Sequence, residues 1–525
     1  MSLTLRPEQV RSDRERLPVS IRSLDALWVA VFAAGISAAG AARPSFWFDE
    51  AATISASTRS VPDLWRMLGN IDAVHGLYYL IMHGWFTVFP ATEFWSRVSS
   101  SIAVGVAAAG VVVLGRRLST RSVAVTAGVV FALLPRVTWA GLETRSYALT
   151  MVTGVWLTVL CLVALRRDRP WWWAGYALMA IGATLLNVFS ILLLPVHAVV
   201  VLTMAESRAT KWRWTFAAVA ACAATVPFLI FTQTQLFQVG WISPVGTRII
   251  GMMLRDQYFD RSLPVAALSA VLIVVGIVSW RRAGSWPQPM LAIIAAWIAL
   301  PTAALLAYSV LGDPVYYPRY LSFTAPAMAL LLGACIVSLA RSSRAATTML
   351  LVLFALAATP NYLSQRGPYA KEGMDYSQVA DVIVGHAAPG DCLVMDNSTA
   401  WLPGPIRPLM AARPAAFAKL RDYGRGPTRT QRKMLWDGHI AVWLWADKMP
   451  GCPVIWTVSE RDATLPDHER GSALQPGPRL ARAMAYQVPY RSGFRIAERW
   501  QFNFAQVTMS IRDASPGHSA GTPHP

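Results

Sequence analysis

Up to about residue 360 the chain is a succession of apolar runs, each roughly 16–22 residues long, the length an α-helix needs to cross a bilayer core. In hydrocarbon every backbone amide and carbonyl must find its partner inside the segment, so such runs must be helices. They fall at about 24–42, 97–115, 122–139, 146–165, 171–187, 188–204, 212–232, 263–280, 289–310, 320–340 and 345–360. Composition agrees. Hydrophobic residues make up 54% of the chain, charged residues 14%, and mean hydropathy is +0.40, too apolar for an ordinary soluble enzyme. Met1–Arg22 is polar and basic, and the first apolar run lacks a convincing cleavage site. It reads as a retained anchor behind a cytoplasmic segment, 1–23.

The net charge of +18 is a topology signal rather than a nucleic-acid one, because no basic patch interleaved with aromatics occurs. The excess sits in short loops: Arg116/Arg117/Arg121, Arg166/Arg167/Arg169, Arg208/Lys211/Arg213, Arg281/Arg282 and Arg341/Arg344. With the N-terminal arginines, these belong on the cytoplasmic side. One further apolar stretch, Gly76–Pro90, would break that parity if it crossed. Its length of about 15 residues and its His83-Gly84 pair suit a helix lying at the outer surface. The expectation is a polytopic α-helical membrane protein of the plasma membrane, with about eleven transmembrane helices and the N-terminus inside.

The extracytoplasmic segments are then 43–96, the turn near 140–146, the loop 233–262, the turn 311–319 and everything after about 361. Residues 24–360 form the membrane module, with 43–96 as its first outer loop. Residues 361–513 change character, with Pro/Gly turns, an amphipathic helix over Ser377–His386, and strand-like runs at Cys392–Asp396, Ala441–Trp445, Pro453–Val458 and Phe504–Ile511. This predicts a C-terminal extracytoplasmic α/β domain followed by a disordered tail, 514–525. Of five cysteines, Cys161, Cys222 and Cys335 fall in spans and read as small apolar side chains. Cys392 and Cys452 fall in the outer domain beside strands, where the compartment permits a disulfide.

Polar residues that are costly near a membrane gather in the outer segments. Phe46-Trp47-Phe48-Asp49-Glu50 follows the first span. Asp72-Ala73-Val74-His75-Gly76-Leu77-Tyr78-Tyr79 leads into the surface helix, Glu143-Thr144-Arg145-Ser146-Tyr147 is wedged between spans, and Asp313-Pro314-Val315-Tyr316-Tyr317-Pro318-Arg319-Tyr320 opens another. Taken singly, each has a structural explanation: a helix cap at Asp49, an ion pair between helices at Glu143/Arg145, an aromatic belt with a snorkelling Arg319. Taken together on one face, they supply carboxylates, a histidine and two arginines. That set suits a lipid-linked anion, since arginine holds phosphate bidentately and a carboxylate accepts a proton from an attacking hydroxyl. No nucleotide-binding glycine loop or HExxH pattern occurs.

At these residues the chain resembles the GT-C superfamily of polyprenyl-phosphate-sugar-dependent glycosyltransferases, and within it the actinobacterial mannosyltransferases and relatives of protein O-mannosyltransferases. Asp49-Glu50 matches the acidic pair of the first outer loop. Asp72, His75, Gly76, Leu77, Tyr78 and Tyr79 match a following segment. Glu143, Arg145, Tyr147, Ala148 and Leu149 match a Glu-x-Arg-x-Tyr-Ala-Leu turn, and Tyr316, Arg319, Tyr320 and Leu321 a Tyr-x-x-Arg-Tyr-Leu segment. The resemblance covers about 25–340. It departs where relatives carry His-Pro-Pro and this chain has His75-Gly76-Leu77, and around Asn187–Ser190, where a histidine is common.

The resemblance implies a GT-C-like fold and inverting transfer of a sugar, mannose foremost, from a polyprenyl-phosphate donor to a cell-envelope glycolipid or lipoglycan on the extracytoplasmic face. Asp49 is the implied base, supported by Glu50. Arg145 and Arg319, with Tyr316 and Tyr320, hold the donor phosphate. Asp72, His75, Tyr78, Glu143 and Tyr147 contact substrate. No metal is demanded, although Asp49, Glu50 and His75 could hold a divalent ion. The same pattern also admits a protein acceptor, an arabinosyl or aminoarabinose donor, or a flippase of lipid-linked sugars.

Overall fold

The computed structural model describes residues 19–283, 288–341, 343–397 and 407–513. The basic N-terminal segment up to residue 18 and the tail expected to be disordered, 514–525, lie outside the described residues. The backbone separates into two compact units. One joins the residues up to 39 with 97–363, and the other joins 40–96 with 364 onward.

The first unit is helical. A helix stands at every one of the expected spans. Among the described residues seven are long and apolar enough to cross a membrane: Glu93–Leu118, Tyr147–Arg167, Arg208–Gln233, Leu263–Arg282, Met290–Leu311, Pro318–Leu339 and Arg344–Ser364. An eighth results if Arg121–Leu133 and Pro135–Gly141 are one broken span, bent by 61°. The apolar run 122–139 predicts a continuous helix there. Pro135 has no amide hydrogen to donate and holds Leu134 extended, at φ −61° and ψ 127°, so the helix stops and restarts. Leu24–Ala38, Pro170–Leu186 and Val188–Met204 are apolar but shorter. The protein is multi-pass.

Its packing depends on small residues. A Cβ on Gly333 would lie 2.7 Å from the Ala127 backbone nitrogen, and one on Gly105 2.7 Å from the Ala30 carbonyl oxygen. Backbones approach that closely only without side chains, the usual contact between helices in lipid. Pro318–Leu339 is the central helix, 89% buried, and Arg344–Ser364 is peripheral, 11% buried. Thr120 and Ser207 cap the helices that follow them, accepting from Val123 N and Thr210 N. Some loop arginines are paired: Asp25 with Arg116 and, at 2.6 Å, with Arg121, and Asp168 with Arg213 at 2.6 Å.

The second unit is α/β. Among the described residues its five strands are β1 (Cys392–Met395), β2 (Val454–Glu460), β3 (His468–Arg470), β4 (Phe494–Gln501) and β5 (Ala505–Arg512), in sheet order β1-β2-β5-β4-β3. β1 and β2 are parallel and the other pairs antiparallel. Cys392 opens β1, Cys452 sits two residues before β2, and the two form a disulfide. The helix Tyr376–His386 appears as expected and buries Tyr376, Val379, Ala380 and Ile383. These side chains share one core with Phe46, Ala51 and Ile54. That shared core is why 40–96, expected to belong with the spans, groups with the C-terminal residues instead. Ala441–Trp445 is not a strand. Val442–Gly451 forms 3₁₀ turns that bury Val442, Trp445 and Met449, a spacing of three and four that suits a helical face.

Candidate functional site

Within the α/β unit the acidic residues lie on two short elements. Phe48–Ser57 is a ten-residue helix with Trp47 at its N-cap position and no side-chain cap. Asp49 is therefore inside the first turn, where its charge complements the helix dipole, and it is not the cap itself. Glu50 is fully buried and Asp49 only half-buried, so the two neighbouring carboxylates differ in solvent access. The Asp49 carbonyl accepts from Thr53 Oγ1 at 3.3 Å. Asp49 also lies close enough to Tyr376 for its charge to add to the burial and the Asp375 charge that push this phenol up.

Asp72 adopts a left-handed conformation, φ 61°, which aspartate tolerates better than most residues. It is buried, and Tyr79 donates its hydroxyl to Asp72 Oδ2 at 2.6 Å. The His75 ring lies 5.8 Å from that of Tyr79, and Tyr78 lies 6.4 Å from Tyr79. The structure thus brings Asp72, His75 and Tyr78 together around Tyr79. Tyr79 lies in the first turn of Gly76–Val88, a helix of 13 residues, too short to cross a bilayer.

The helical unit holds the basic cluster. Between Pro135–Gly141 and Tyr147–Arg167 the chain makes a tight turn in which Glu143, Thr144, Arg145 and Ser146 are all buried. Ser100 Oγ donates to the Glu143 carbonyl at 2.6 Å and fixes the turn. Tyr147 reaches Arg319: the guanidinium carbon of Arg319 lies 6.0 Å from the Tyr147 ring centre, 5.6 Å from Trp241 and 4.8 Å from Tyr317. Faces of aromatic rings stabilise a partly desolvated cation there. Tyr320 stacks on Phe189 at 5.5 Å, and its carbonyl accepts from Asn187 Nδ2 at 3.3 Å. Tyr316, expected at the phosphate, is committed internally. Its hydroxyl donates to Gln257 Oε1 at 2.8 Å, its amide donates to Ser309 Oγ at 2.9 Å, and burial pushes its phenol up.

Sequence reasoning missed three members of this cluster. Arg136 stacks on Trp139 at 4.9 Å, donates to the Asp256 and Gln257 carbonyls, and pairs with Asp260 at 3.1 Å. An arginine just after Pro135, inside an apolar run, was the available signal, because a charge at that depth needs a reason. Trp241 and Gln257 come from the loop 233–262, which shows no periodicity. Among the described residues no three His, Cys, Asp or Glu side chains gather into a set that could hold a metal ion. Asp49, Glu50 and His75 therefore do not gather into the ligand set that the resemblance allows.

No protein-family profile and no curated protein sequence matches the chain. Solved structures do. ArnT from Cupriavidus metallidurans in the apo state superposes with a TM-score of 0.57 at 13% identity, over 92% of this chain and 97% of ArnT. The chain shares the fold of ArnT. ArnT bound to undecaprenyl phosphate aligns with a TM-score of 0.53, again at 13% identity, over 95% and 99% of the two chains. The Archaeoglobus fulgidus oligosaccharyltransferase tethered with an acceptor peptide aligns at 12% identity and a TM-score of 0.45, over 83% and 69%.

Proposed function

We propose that the chain is an inverting glycosyltransferase that moves a sugar, mannose foremost, from a polyprenyl-phosphate donor to a cell-envelope glycolipid or lipoglycan on the extracytoplasmic face of the plasma membrane. The observation that carries this reading is the end-to-end likeness to ArnT, a protein solved with undecaprenyl phosphate bound. A nearly complete correspondence of two membrane chains supports a common way of handling a lipid phosphate. The choice of mannose rests on the sequence resemblance to mannosyltransferases.

In this reading Asp49 takes the proton from an acceptor hydroxyl, and the oxygen attacks the anomeric carbon of the donor. The bond from that carbon to the phosphate oxygen breaks, the configuration inverts, and polyprenyl phosphate leaves carrying the electron pair. Half-buried Asp49 is the better base and fully buried Glu50 its support, because only a group with some access can meet an acceptor. Arg145 and Arg319 hold the departing phosphate, and planar guanidinium groups suit that task. Tyr147 and Trp241 fix Arg319 through their ring faces.

The experiment is a reconstituted assay. Purified protein is offered radiolabelled polyprenyl-phosphomannose with lipoglycan and peptide acceptors, and in parallel arabinofuranosyl and aminoarabinose donors. The expected outcome is label in the lipoglycan from the mannose donor. Transfer from none of the donors overturns the proposal, and transfer to peptide alone moves the acceptor class.

A further inference from the structure

Arg59, just beyond the helix Phe48–Ser57, is buried to 5% exposure in the α/β unit. Its Nε donates to the Ser55 carbonyl at 3.0 Å, and its Nη2 to the Met434 and Leu435 carbonyls at 2.5 and 3.1 Å. Its other terminal nitrogen, Nη1, is buried and meets no hydrogen-bond partner among the described residues. A second arginine converges on the same point. Arg429 Nη1 donates to Ser55 Oγ at 3.0 Å, the hydroxyl that also lies 3.4 Å from Arg59 Nη2, and Arg429 Nη2 reaches Thr58 Oγ1 at 3.5 Å.

Two guanidinium groups sharing one hydroxyl repel each other. Burial, with the Arg429 charge next in size, pushes Arg59 down to about 10. Asp63 and Asp437 favour the charged arginines only at longer range, since Asp63 pairs directly with Arg66 at 2.7 Å, and Asp437 pairs with Arg425 at 2.7 Å and accepts from the Arg429 amide at 2.6 Å. Among the described residues neither Arg59 nor Arg429 forms an ion pair. Carbonyl dipoles solvate a cation but do not neutralise it, and a buried charged donor without a partner is costly to leave so.

We infer that Arg59 and Arg429 form a binding site for a tetrahedral oxyanion of the phosphate class. The buried Nη1 of Arg59 supplies the inner contact, and the half-buried Arg429, planar and forked, closes over the anion from outside. The site is built from different residues than Arg145 and Arg319, and it stands whether or not the chain transfers sugars. The anion is either a free phosphate group or the headgroup of an anionic lipid.

Full-length protein in neutral detergent is followed by thermal unfolding with inorganic phosphate, with potassium chloride at equal ionic strength, and with short-chain phosphatidic acid. The expected result is a saturating rise in melting temperature with phosphate that chloride does not reproduce. Ligands that bind only the folded state raise its stability in this manner. Arg429→Ala should abolish the rise, while Arg429→Lys should weaken apparent affinity roughly tenfold, because charge is kept and the fork is lost. Exposed Arg470→Ala should behave as wild type. A response to both phosphate and phosphatidic acid supports a free oxyanion site, and a response to phosphatidic acid alone supports a headgroup site. No rise beyond chloride with either ligand overturns the inference, as does a full response in folded Arg429→Ala or, should that variant not fold, in Arg429→Lys.

Discussion

The two units bury charge in different company. In the helical unit, cations gather with aromatic rings: Arg319 among Tyr147, Tyr317 and Trp241, and Arg136 on Trp139. In the α/β unit, carboxylates sit in the first turn of Phe48–Ser57, on the Tyr79 hydroxyl at Asp72 and on a backbone amide at Asp375, while arginines sit among carbonyls or in ion pairs such as Arg407 with Asp422. A ring face attracts a guanidinium through its electron-rich centre. A carboxylate inside a first helical turn interacts favourably with the helix dipole. Under the proposed function Arg145 and Arg319 belong to the first setting and Asp49 to the second.

That division breaks most sharply at Asp49. Asp49→Asn keeps size and polarity and should fold normally, yet turnover should fall about 100-fold or more, the scale of a lost general base. Glu50→Gln should fall less. An active Asp49→Asn enzyme would take the role of base from Asp49, and an inactive Glu50→Gln beside it would shift the base by one residue.

The next largest effect concerns the grip. Arg319→Ala should weaken donor binding by at least tenfold, about 1.4 kcal/mol, and Arg319→Lys should restore only part of it because ammonium lacks the planar fork. Trp241→Ala should cost about 1 kcal/mol through the lost ring face. Donor affinity measured on purified protein decides both. Unchanged affinity in Arg319→Ala would leave Arg319 a merely structural, ring-packed cation.

Two smaller effects sharpen the α/β side. Replacing both Cys392 and Cys452 should lower stability by about 2–4 kcal/mol in denaturant melts, with turnover per folded molecule unchanged. Tyr79→Phe removes the donor to buried Asp72 and should lower stability by about 1–3 kcal/mol. A loss of turnover larger than the loss of folded protein would instead tie Asp72 to substrate.

The helices were legible because hydrocarbon length is written directly in apolar runs, and the acidic and basic motifs because charge near a membrane stands out. The break at Leu134–Pro135 was missed because apolar residues continue on both sides of the proline. β4 was missed for the opposite reason. Phe494–Gln501 carries Arg495, Glu498 and Arg499 and looks like a solvated segment. Yet Arg499 is fully buried, donating to Glu469 at 2.7 Å, and Glu498 meets His468 at 3.0 Å. Partners supplied by β3 make those charges tolerable in a sheet, and β3 is only three residues long. The ring cluster around Arg319 was half legible: Tyr147 and Tyr317 belong to motifs, whereas Trp241 comes from a loop whose sequence has no period to read.

The bond between Cys392 and Cys452 makes the chain its own compass. Thiols that stay paired in living cells have matured on the oxidising side of a membrane, and thiols in the cytoplasm are kept reduced. Labelling intact cells with a maleimide, before and after reductant, would report which side the sheet faces without any fused reporter and without reference to basic loops. Paired cysteines would place Asp49, which belongs to the same compact unit, on the oxidising side. A free pair would turn the whole molecule over, and the acceptor would then have to be sought in the cytoplasm.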